Sequence, residues 1–101
     1  MKNDFIYDLT EWIESQLASK LSLDIVAAKS GYSKWYLQRV YHALTGVTLS
    51  RYIRLRKLSA AAAELQITKT HILDISLKYG FTTQQAFTRS FKSYFHQPPA
   101  R

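Results

Sequence analysis

The chain contains two copies of one short sequence unit, about fifty residues apart. The first copy, GYSKWYLQRVY, runs from Gly31 to Tyr41, and the second, GFTTQQAFTRSF, runs from Gly80 to Phe91. Each copy begins with a glycine and an aromatic residue, continues with a hydroxyl residue that can cap a helix, and then becomes amphipathic at helical spacing. A short helix, a tight turn containing glycine and a second helix form a helix-turn-helix unit, so the repeat predicts two such units in one polypeptide.

Alignment of the two copies shows what the repeat preserves. With an offset of 50 residues, Leu37 corresponds to Phe87 and Arg39 corresponds to Arg89. The unit therefore keeps an apolar position that faces inward and an arginine that faces outward. Because the second helix of a helix-turn-helix unit can enter the major groove of DNA, the repeat favours a protein with two DNA-contacting helices.

Positive charge is concentrated in the part of the chain that contains the repeat. Of the net charge of +7, residues 1–33 contribute three lysines against five acidic residues, a balance of −2. Residues 34–101 contribute eleven basic residues against Glu64 and Asp74, a balance of +9. A basic segment interleaved with aromatic residues is typical of proteins that bind nucleic-acid phosphates, although charge alone also fits an ordinary solvated surface.

Composition narrows the class of protein further. A chain of 101 residues, 47% apolar and 14% aromatic, has the length of one domain and enough apolar material for a core. The absence of cysteine excludes disulfides and thiolate metal sites, and the three histidines lack any metal-ligand spacing. No apolar run approaches the roughly 20 residues of a membrane span, and the acidic start does not resemble a signal peptide. We therefore expect a cytoplasmic protein that contacts no membrane and binds no metal or cofactor.

Hydrophobic periodicity predicts an all-α fold. Residues that can cap or end helices give approximate helix ranges of 4–18, 22–29, 33–44, 48–66, 72–79 and, from Thr82 or Thr83 onward, to 94. The fourth segment is apolar nearly all round, which indicates burial from more than one side, and its ~18 residues span roughly 27 Å. We therefore predict a first helix-turn-helix subdomain over residues 1–47, a central linking helix over 48–66 and a second subdomain over 67–101.

The outward faces of the third and last predicted helices carry the candidate DNA contacts. The predicted inward residues are Leu37, Val40, Tyr41 and Leu44 on the third helix and Phe87, Phe91 and Phe95 on the last. Arginine can bond guanine bidentately, glutamine can do so to adenine, and an indole or a threonine methyl can lie against sugar or a thymine methyl. The predicted base-contacting residues are Trp35, Gln38, Arg39, Gln84, Gln85, Thr88 and Arg89.

A second set of cations is better suited to the phosphate backbone, because base edges are usually contacted from the first turns of the recognition helix and phosphates from its surroundings. The predicted phosphate-contacting residues are Lys34, Arg54, Arg56 and Lys92. Each member of the base-contacting set also has a simpler interpretation. Arg39 and Arg89 could be ordinary surface arginines, and Trp35 could be a core residue. Gln84 and Gln85 could be solvent-facing residues without a binding role. The equivalence of the arginines across the repeat argues against the first alternative.

The sequence gives no support for catalysis. The carboxylates of the basic part of the chain are too few for a catalytic site, and both of them, Glu64 and Asp74, lie among helix-surface positions. There is also no glycine-rich loop that could hold a phosphate-bearing substrate. We therefore expect that the protein is not an enzyme.

The segments GYSKWYLQRVYHALTGVTLSRYIRLRKL and DISLKYGFTTQQAFTRSFKSYFHQPP resemble the AraC/XylS family of bacterial transcription regulators, closest to the MarA/SoxS/Rob type. The resemblance extends from about residue 6 to residue 99. It implies about seven helices, with two helix-turn-helix subdomains joined by a long central helix, and monomeric binding to an asymmetric promoter site. Trp35, Gln38 and Arg39 match base-contacting positions of the family, as do Gln84, Gln85 and Arg89, whereas Thr88 matches a backbone-contacting position.

The same resemblance implies a transcription activator that recruits RNA polymerase at stress or drug-resistance promoters. The sequence departs from the usual pattern of the family in two places. Ala86 stands where relatives often carry a hydroxyl residue, and the chain stops at PPAR where the family usually continues. The second departure suggests either a truncated chain or the DNA-binding part of a longer protein whose other domain could bind an effector. Two other functions stay open at this point: a DNA-targeting module of a larger DNA-processing protein, and a helical bundle that binds another protein through its acidic first helix.

Overall fold

The computed structural model describes residues 2–99, with side chains described from residue 4 onward. These residues form six helices, which are α1 (Lys2–Ser15), α2 (Leu23–Ser30), α3 (Lys34–Thr45), α4 (Leu49–Ile67), α5 (Ile72–Lys78) and α6 (Gln84–Phe95). The all-α prediction is confirmed, since no described residue lies in a strand. The six segments with helical periodicity account for every helix in this range, rather than about seven. Residue 1, with which the first predicted subdomain begins, and residue 101, with which the second ends, lie outside the described residues. The same is true of the last two residues of PPAR.

Side-chain caps set the starts of four helices, as the sequence predicted. Each capping hydroxyl accepts a hydrogen bond from the backbone N–H three residues later, which satisfies one of the free donors of a helix N-terminus. The caps are Ser22 for α2, Ser33 for α3, Thr48 for α4 and Thr83 for α6. Gly31 and Gly46 end α2 and α3 with φ of 79° and 85°, a left-handed conformation that glycine adopts without a steric penalty.

Helix α1 ends earlier than predicted, at Ser15 rather than near residue 18. The Ser15 hydroxyl donates to the Trp12 carbonyl at 2.6 Å, and the Ser19 hydroxyl donates to the Gln16 carbonyl. Short polar side chains that bond to nearby carbonyls compete with the helical ladder, which explains why the apolar spacing alone overestimated the length of this helix.

Helix α4 is the centre of the molecule. Helices α2 and α3 form the first helix-turn-helix unit, α5 and α6 form the second, and α4 packs against α3, α5 and α6. Its buried residues run along its length, from Leu49 and Ile53 through Leu58 and Ala61 to Leu65. Burial from more than one side is therefore confirmed, and α4 connects two units in an elongated molecule that measures 42 × 22 × 22 Å.

The repeat places equivalent residues in equivalent core positions. Leu37 of α3 and Phe87 of α6 are both fully buried, and the ring centroids of Phe91 and Phe95 lie 4.5 Å apart. The prediction that Leu44 faces inward is wrong, because 49% of its surface is exposed. It lies in the last turn of α3, beside a surface groove between α1 and α3 that Ile6 also lines, where no further helix covers it. Within the described residues, none of the helices combines the length and apolar character needed to cross a membrane.

Candidate nucleic-acid interface

The first turns of α3 present an aromatic and a cation to solvent. Trp35 is 66% exposed, so the alternative that it belongs to the core is wrong. The guanidinium of Arg39, one turn later, lies over its ring at 4.5 Å from the centroid. This cation–π contact restricts the orientation of the guanidinium without using any of its N–H donors. Arg39 is therefore held at the surface with its hydrogen-bonding edge available.

The structure gives Gln38 a contact that the sequence did not predict. Its Nε2 donates to Ser50 Oγ at 2.6 Å, and its Oε1 accepts from the Ser50 backbone N–H at 3.0 Å. Ser50 lies in the first turn of α4, where backbone N–H groups have no helical partner. Gln38 thus joins α3 to the start of α4 with both ends of its amide, which leaves one N–H and one oxygen lone pair of the amide for a base contact.

The outward face of α6 is polar, basic and unpaired. The side chains of this face surround one shallow depression. They are those of Gln84, Gln85, Thr88, Arg89 and Lys92. Four of them are exposed and Thr88 is half-buried, and none makes a side-chain hydrogen bond or ion pair within residues 4–99. The structure therefore brings together the side chains predicted for the second recognition helix, with their donors and acceptors available.

Arg56, a predicted phosphate contact, is held by an ion pair, so a phosphate would have to compete with Glu14 for its guanidinium. Its Nε and a terminal nitrogen both donate to the carboxylate of Glu14, each at 2.9 Å, and the Tyr52 hydroxyl donates to the same carboxylate at 3.0 Å. The hydrogen bond from Arg56 lowers the pKa of Glu14, and the same bond raises the pKa of Arg56. Arg56 is a bidentate partner that ties α4 to α1. The two residues are 42 apart in the chain, so no local pattern indicated the pair.

The side chains of the other predicted phosphate contacts remain accessible to a phosphate. Lys34 pairs with Asp24 at 2.7 Å, but both side chains are more than half exposed. Such surface pairs are weak, so a DNA phosphate can compete for the lysine. Arg54 and Lys92 are exposed and have no ion-pair partner within the described residues.

Arg51 is a candidate contact that the sequence analysis missed. It lines a groove between α4 and α6 together with Arg54 and Arg89, and no carboxylate lines this groove. Arg51 and Arg54 are three residues apart and share one face of α4, a signal that was present in the sequence. That this face lies beside Arg89 of α6 depends on how the two helices pack. Three guanidinium groups without an anion make the groove a suitable place for a phosphate.

The unpaired cations of the basic region indicate the size of the available positive surface. Of the lysines and arginines between residues 34 and 92, those without an ion-pair partner that also reach the surface are Arg39, Arg51, Arg54, Lys69, Arg89 and Lys92. Lys78 is paired with Glu64 at 2.9 Å, and Lys57 is buried.

Residues 4–99 contain no group of three potential metal-ligating side chains. Two exposed helix faces, each carrying an arginine, can thus supply base contacts, and Arg51 and Arg54 of α4 are available for the backbone.

Comparison with known families and proteins points in the same direction. A family model described as a helix-turn-helix domain matches residues 26–101. The chain is 54% identical over 95 residues to the TetD protein of transposon Tn10 from Escherichia coli, an alignment that covers 94% of this chain and 69% of TetD. The transcriptional regulator Rob of Salmonella typhimurium is also 54% identical over 95 residues, but there the chain spans only 33% of the relative. The HTH-type transcriptional activator AarP of Providencia stuartii is 44% identical over 99 residues, covering 98% of this chain and 73% of AarP.

Solved structures share the fold over nearly the whole chain. A transcriptional regulator from Chromobacterium violaceum, described as an AraC-type DNA-binding-domain protein, superimposes with a TM-score of 0.84 at 26% identity and covers 96% of this chain and 87% of its own. The DNA-binding domain of AdpA, solved in complex with a target DNA, also has a TM-score of 0.84, over 92% of this chain and 84% of its own. At 17% identity, the second likeness supports the fold alone.

Proposed function

This chain belongs to the AraC-type helix-turn-helix family, within the MarA/SoxS/Rob type, and on that premise we propose that it is a sequence-specific DNA-binding transcription regulator. Helices α3 and α6 are the two recognition helices, and each enters the major groove of the same duplex. Arg39 and Arg89 are the main base contacts, because they are equivalent in the repeat and both project from exposed faces. Trp35, Gln84, Gln85 and Thr88 contribute the remaining base or sugar contacts.

The observation that carries this proposal is the pair of unpaired arginines on two equivalent helices of one chain. A dimeric helix-turn-helix protein obtains its second recognition helix from a partner subunit. Here the duplication supplies it internally, with residues up to 47 and from 67 onward as the two DNA-binding subdomains. We therefore propose that one chain binds one duplex at an asymmetric site.

The geometry of α4 adds a consequence for the DNA. Successive major-groove segments on one face lie about 34 Å apart. Helix α4 has 19 residues and spans roughly 28 Å. We propose that the duplex bends toward the protein so that both helices fit, at a cost of a few kcal/mol that the second set of contacts repays.

The regulatory outcome that we propose is activation in the cytoplasm, by recruitment of RNA polymerase to stress or drug-resistance promoters. The name of AarP as a transcriptional activator supports this sign of regulation. Rob and AarP are named as a transcriptional regulator and a transcriptional activator, and we propose no catalytic activity for the chain. Transcription from a promoter carrying the selected site, with purified polymerase, tests the proposal directly: activation predicts more transcript when the protein is added, and repression predicts less.

The experiment that tests DNA recognition is selection of bound sequences from a random duplex pool, followed by stoichiometry on the minimal selected site. We expect two short conserved segments about one helical turn apart and one chain per duplex. A pool that yields no preferred sequence would refute sequence-specific binding. Two chains per minimal site, or an unbent duplex in the complex, would refute the arrangement proposed for α3 and α6.

A further inference from the structure

Lys57 occupies an unusual position for a lysine. It lies in the middle of α4, and only 6% of its surface is exposed. Lysines are almost never so deeply buried unless they are paired, because an ammonium loses its hydration on burial. No carboxylate lies within ion-pair distance of Lys57 among the described residues. Its partners are instead two backbone carbonyls, those of Ser19 at 3.1 Å and Leu21 at 2.9 Å.

These carbonyls belong to the α1–α2 loop, residues 16–22, which leads directly into the first helix-turn-helix unit. Carbonyls in a loop lack the helical partners that a ladder provides, and they need a donor when they are buried. The ammonium supplies it for two of them at once. The desolvation that accompanies this burial lowers the pKa of Lys57. The contact thus gives two loop carbonyls a hydrogen-bond donor, while the lysine ammonium loses its hydration.

Gly80, in the turn between α5 and α6, approaches the same loop from the second unit. A Cβ at this position would lie 2.6 Å from the Ser19 carbonyl oxygen and 2.9 Å from the Lys57 nitrogen, closer than real Cβ atoms come. Only glycine therefore permits this approach without a shift of the backbone. The α1–α2 loop, the middle of α4 and the α5–α6 turn meet at one point, with the Lys57 ammonium between them.

The repeat provides an internal comparison for this contact. Gly31 is the counterpart of Gly80 in the first unit, and both have positive φ, of 79° and 83°. At Gly31 a Cβ would meet nothing within 4 Å. A helix-turn-helix turn thus requires glycine for its φ but does not require close packing around it. The close packing at Gly80 is a contact between the two units.

We propose that Lys57 is a positioning residue that locks the α1–α2 loop against the Gly80 turn and thereby sets the distance and angle between the two recognition helices. The loop leads into α2, on which α3 packs, and Gly80 lies four residues before the start of α6. A shift at this point moves one recognition helix relative to the other. Lys57 then determines which spacing of base-pair segments the protein accepts, a consequence that rests on the proposed DNA-binding function.

A distance measurement without DNA tests the lock itself. Because the chain has no cysteine, the exposed positions Ala43 of α3 and Ser93 of α6 can be changed to cysteine and spin-labelled without background. Double electron–electron resonance should give one narrow distance distribution for this labelled protein and for its Gly31→Ala variant. Lys57→Met, which keeps the side-chain length but removes the donor, and Gly80→Ala should each broaden or shift the distribution.

Gly31→Ala is the matched control, because it imposes the same left-handed strain on alanine as Gly80→Ala without meeting any neighbouring atom. Circular dichroism and thermal unfolding confirm that each variant is folded at the temperature used. If Lys57→Met does not fold, the comparison of Gly80→Ala with Gly31→Ala decides the question. Distance distributions that stay unchanged in both Lys57→Met and Gly80→Ala would overturn the proposal.

A binding measurement tests the consequence for spacing. One base pair inserted between the two segments of a selected site rotates them by roughly 35° relative to each other. The wild-type protein should discriminate against this duplex, and Lys57→Met should reduce the affinity ratio between the two duplexes by about tenfold, whereas Gly31→Ala should leave it unchanged. An unchanged ratio in Lys57→Met overturns the spacing role. A wild-type protein that selects no sequence while the label distances respond as expected would refute the proposed function and leave the lock standing.

Discussion

The guanidinium of Arg39 lies 4.5 Å from the centroid of the Trp35 ring, one turn earlier on α3. A cation–π contact at an exposed site contributes about 0.5–1 kcal/mol and limits how the guanidinium can rotate. The second unit has no such support, because Gln85 stands at the position equivalent to Trp35. The two arginines are thus equivalent in sequence but differently held before DNA is bound.

This difference predicts unequal coupling in DNA binding. In double-mutant cycles on a selected site, Trp35→Ala and Arg39→Ala should show a coupling energy of about 0.5–1 kcal/mol, because the ring orients the arginine. Gln85→Ala and Arg89→Ala should be nearly additive. Affinities of the wild type, the four single variants and the two double variants provide both values, and equal coupling in the two pairs would contradict the prediction.

The two arginines should specify different base pairs. We expect Arg39→Ala and Arg89→Ala each to cost ~1 to 3 kcal/mol on the preferred sequence and to relax preference at positions about one helical turn apart. Arg54→Ala, which removes a proposed phosphate contact, should weaken binding to all sequences alike. Repeating the pool selection with each variant measures this. If the first two variants lose affinity equally for specific and random DNA, they do not contact bases.

Arg54 and Arg56 are two residues apart on α4 but should behave differently. Arg56→Ala removes the bidentate partner of the partly buried Glu14, so it should lower the free energy of unfolding, whereas the salt dependence of DNA binding should stay close to that of the wild type. Arg54→Ala should leave stability nearly unchanged and make the log-log salt slope shallower by about 1. Denaturant unfolding and salt titrations of the two variants distinguish the roles, and the reverse pattern would restore Arg56 as a phosphate contact.

The cluster of Glu14, Arg56 and Tyr52 should make the free energy of unfolding depend on pH in both acid and alkali. The pKa of Glu14 is lowered in the folded protein, chiefly by its hydrogen bond from Arg56, so its contribution is present above the ordinary value of 4.5 and is lost as the pH falls below it. Burial and the bond to Glu14 raise the pKa of Tyr52 to about 12, so that contribution is present below the ordinary value of 10 and is lost as the pH rises toward 12.

Glu14→Gln is the variant that tests the acid limit. Its stability should differ most from the wild type near neutral pH, and the difference should shrink in acid, where the wild-type carboxylate becomes protonated. Unfolding free energies between roughly pH 3 and pH 11 would measure this. A constant difference over the acid limb would show that the charge of Glu14 contributes nothing to folding.

Electrostatic attraction should dominate the affinity for DNA. The positive charge balance of residues 34–101 is enough to neutralise about six phosphates, which implies a log-log salt slope of about −5 from counterion release. Raising the salt concentration from ~50 to ~200 mM should then cost roughly a thousandfold in affinity. Selectivity must be measured on the same samples. A slope near zero would refute DNA binding, and a steep slope without selectivity would refute the regulatory role.

Much of the fold and part of the interface were predictable from the sequence. Ser22, Ser33 and Thr48 cap the helices predicted for them, and Leu37 and Phe87 occupy the predicted core positions. The predicted outer face of α6 is also the face that the structure exposes. The assignment of individual residues to bases or phosphates stays a prediction, because accessibility permits a contact without identifying its partner.

The contacts that the sequence did not predict join residues that lie far apart in the chain. Gln38 and Ser50 are 12 residues apart, and Arg56 and Glu14 are 42 apart. Periodicity placed Gln38 and Arg56 on outward faces, and no local pattern indicated that another helix approaches there. The spacing of Arg51 and Arg54 was visible in the sequence, but the approach of Arg51 to Arg89 depends on how α4 and α6 pack.

The sequence by itself determined the helix starts, the duplicated unit and the two outward arginines, because caps and apolar spacing act between residues within about four positions of each other. Only the tertiary structure decided which cations are neutralised, which glutamine is engaged and where the two units touch. Those outcomes depend on the angles at which helices pack around α4. These angles bring Lys57, Gly80 and the α1–α2 loop to one point through contacts between residues far apart in the chain.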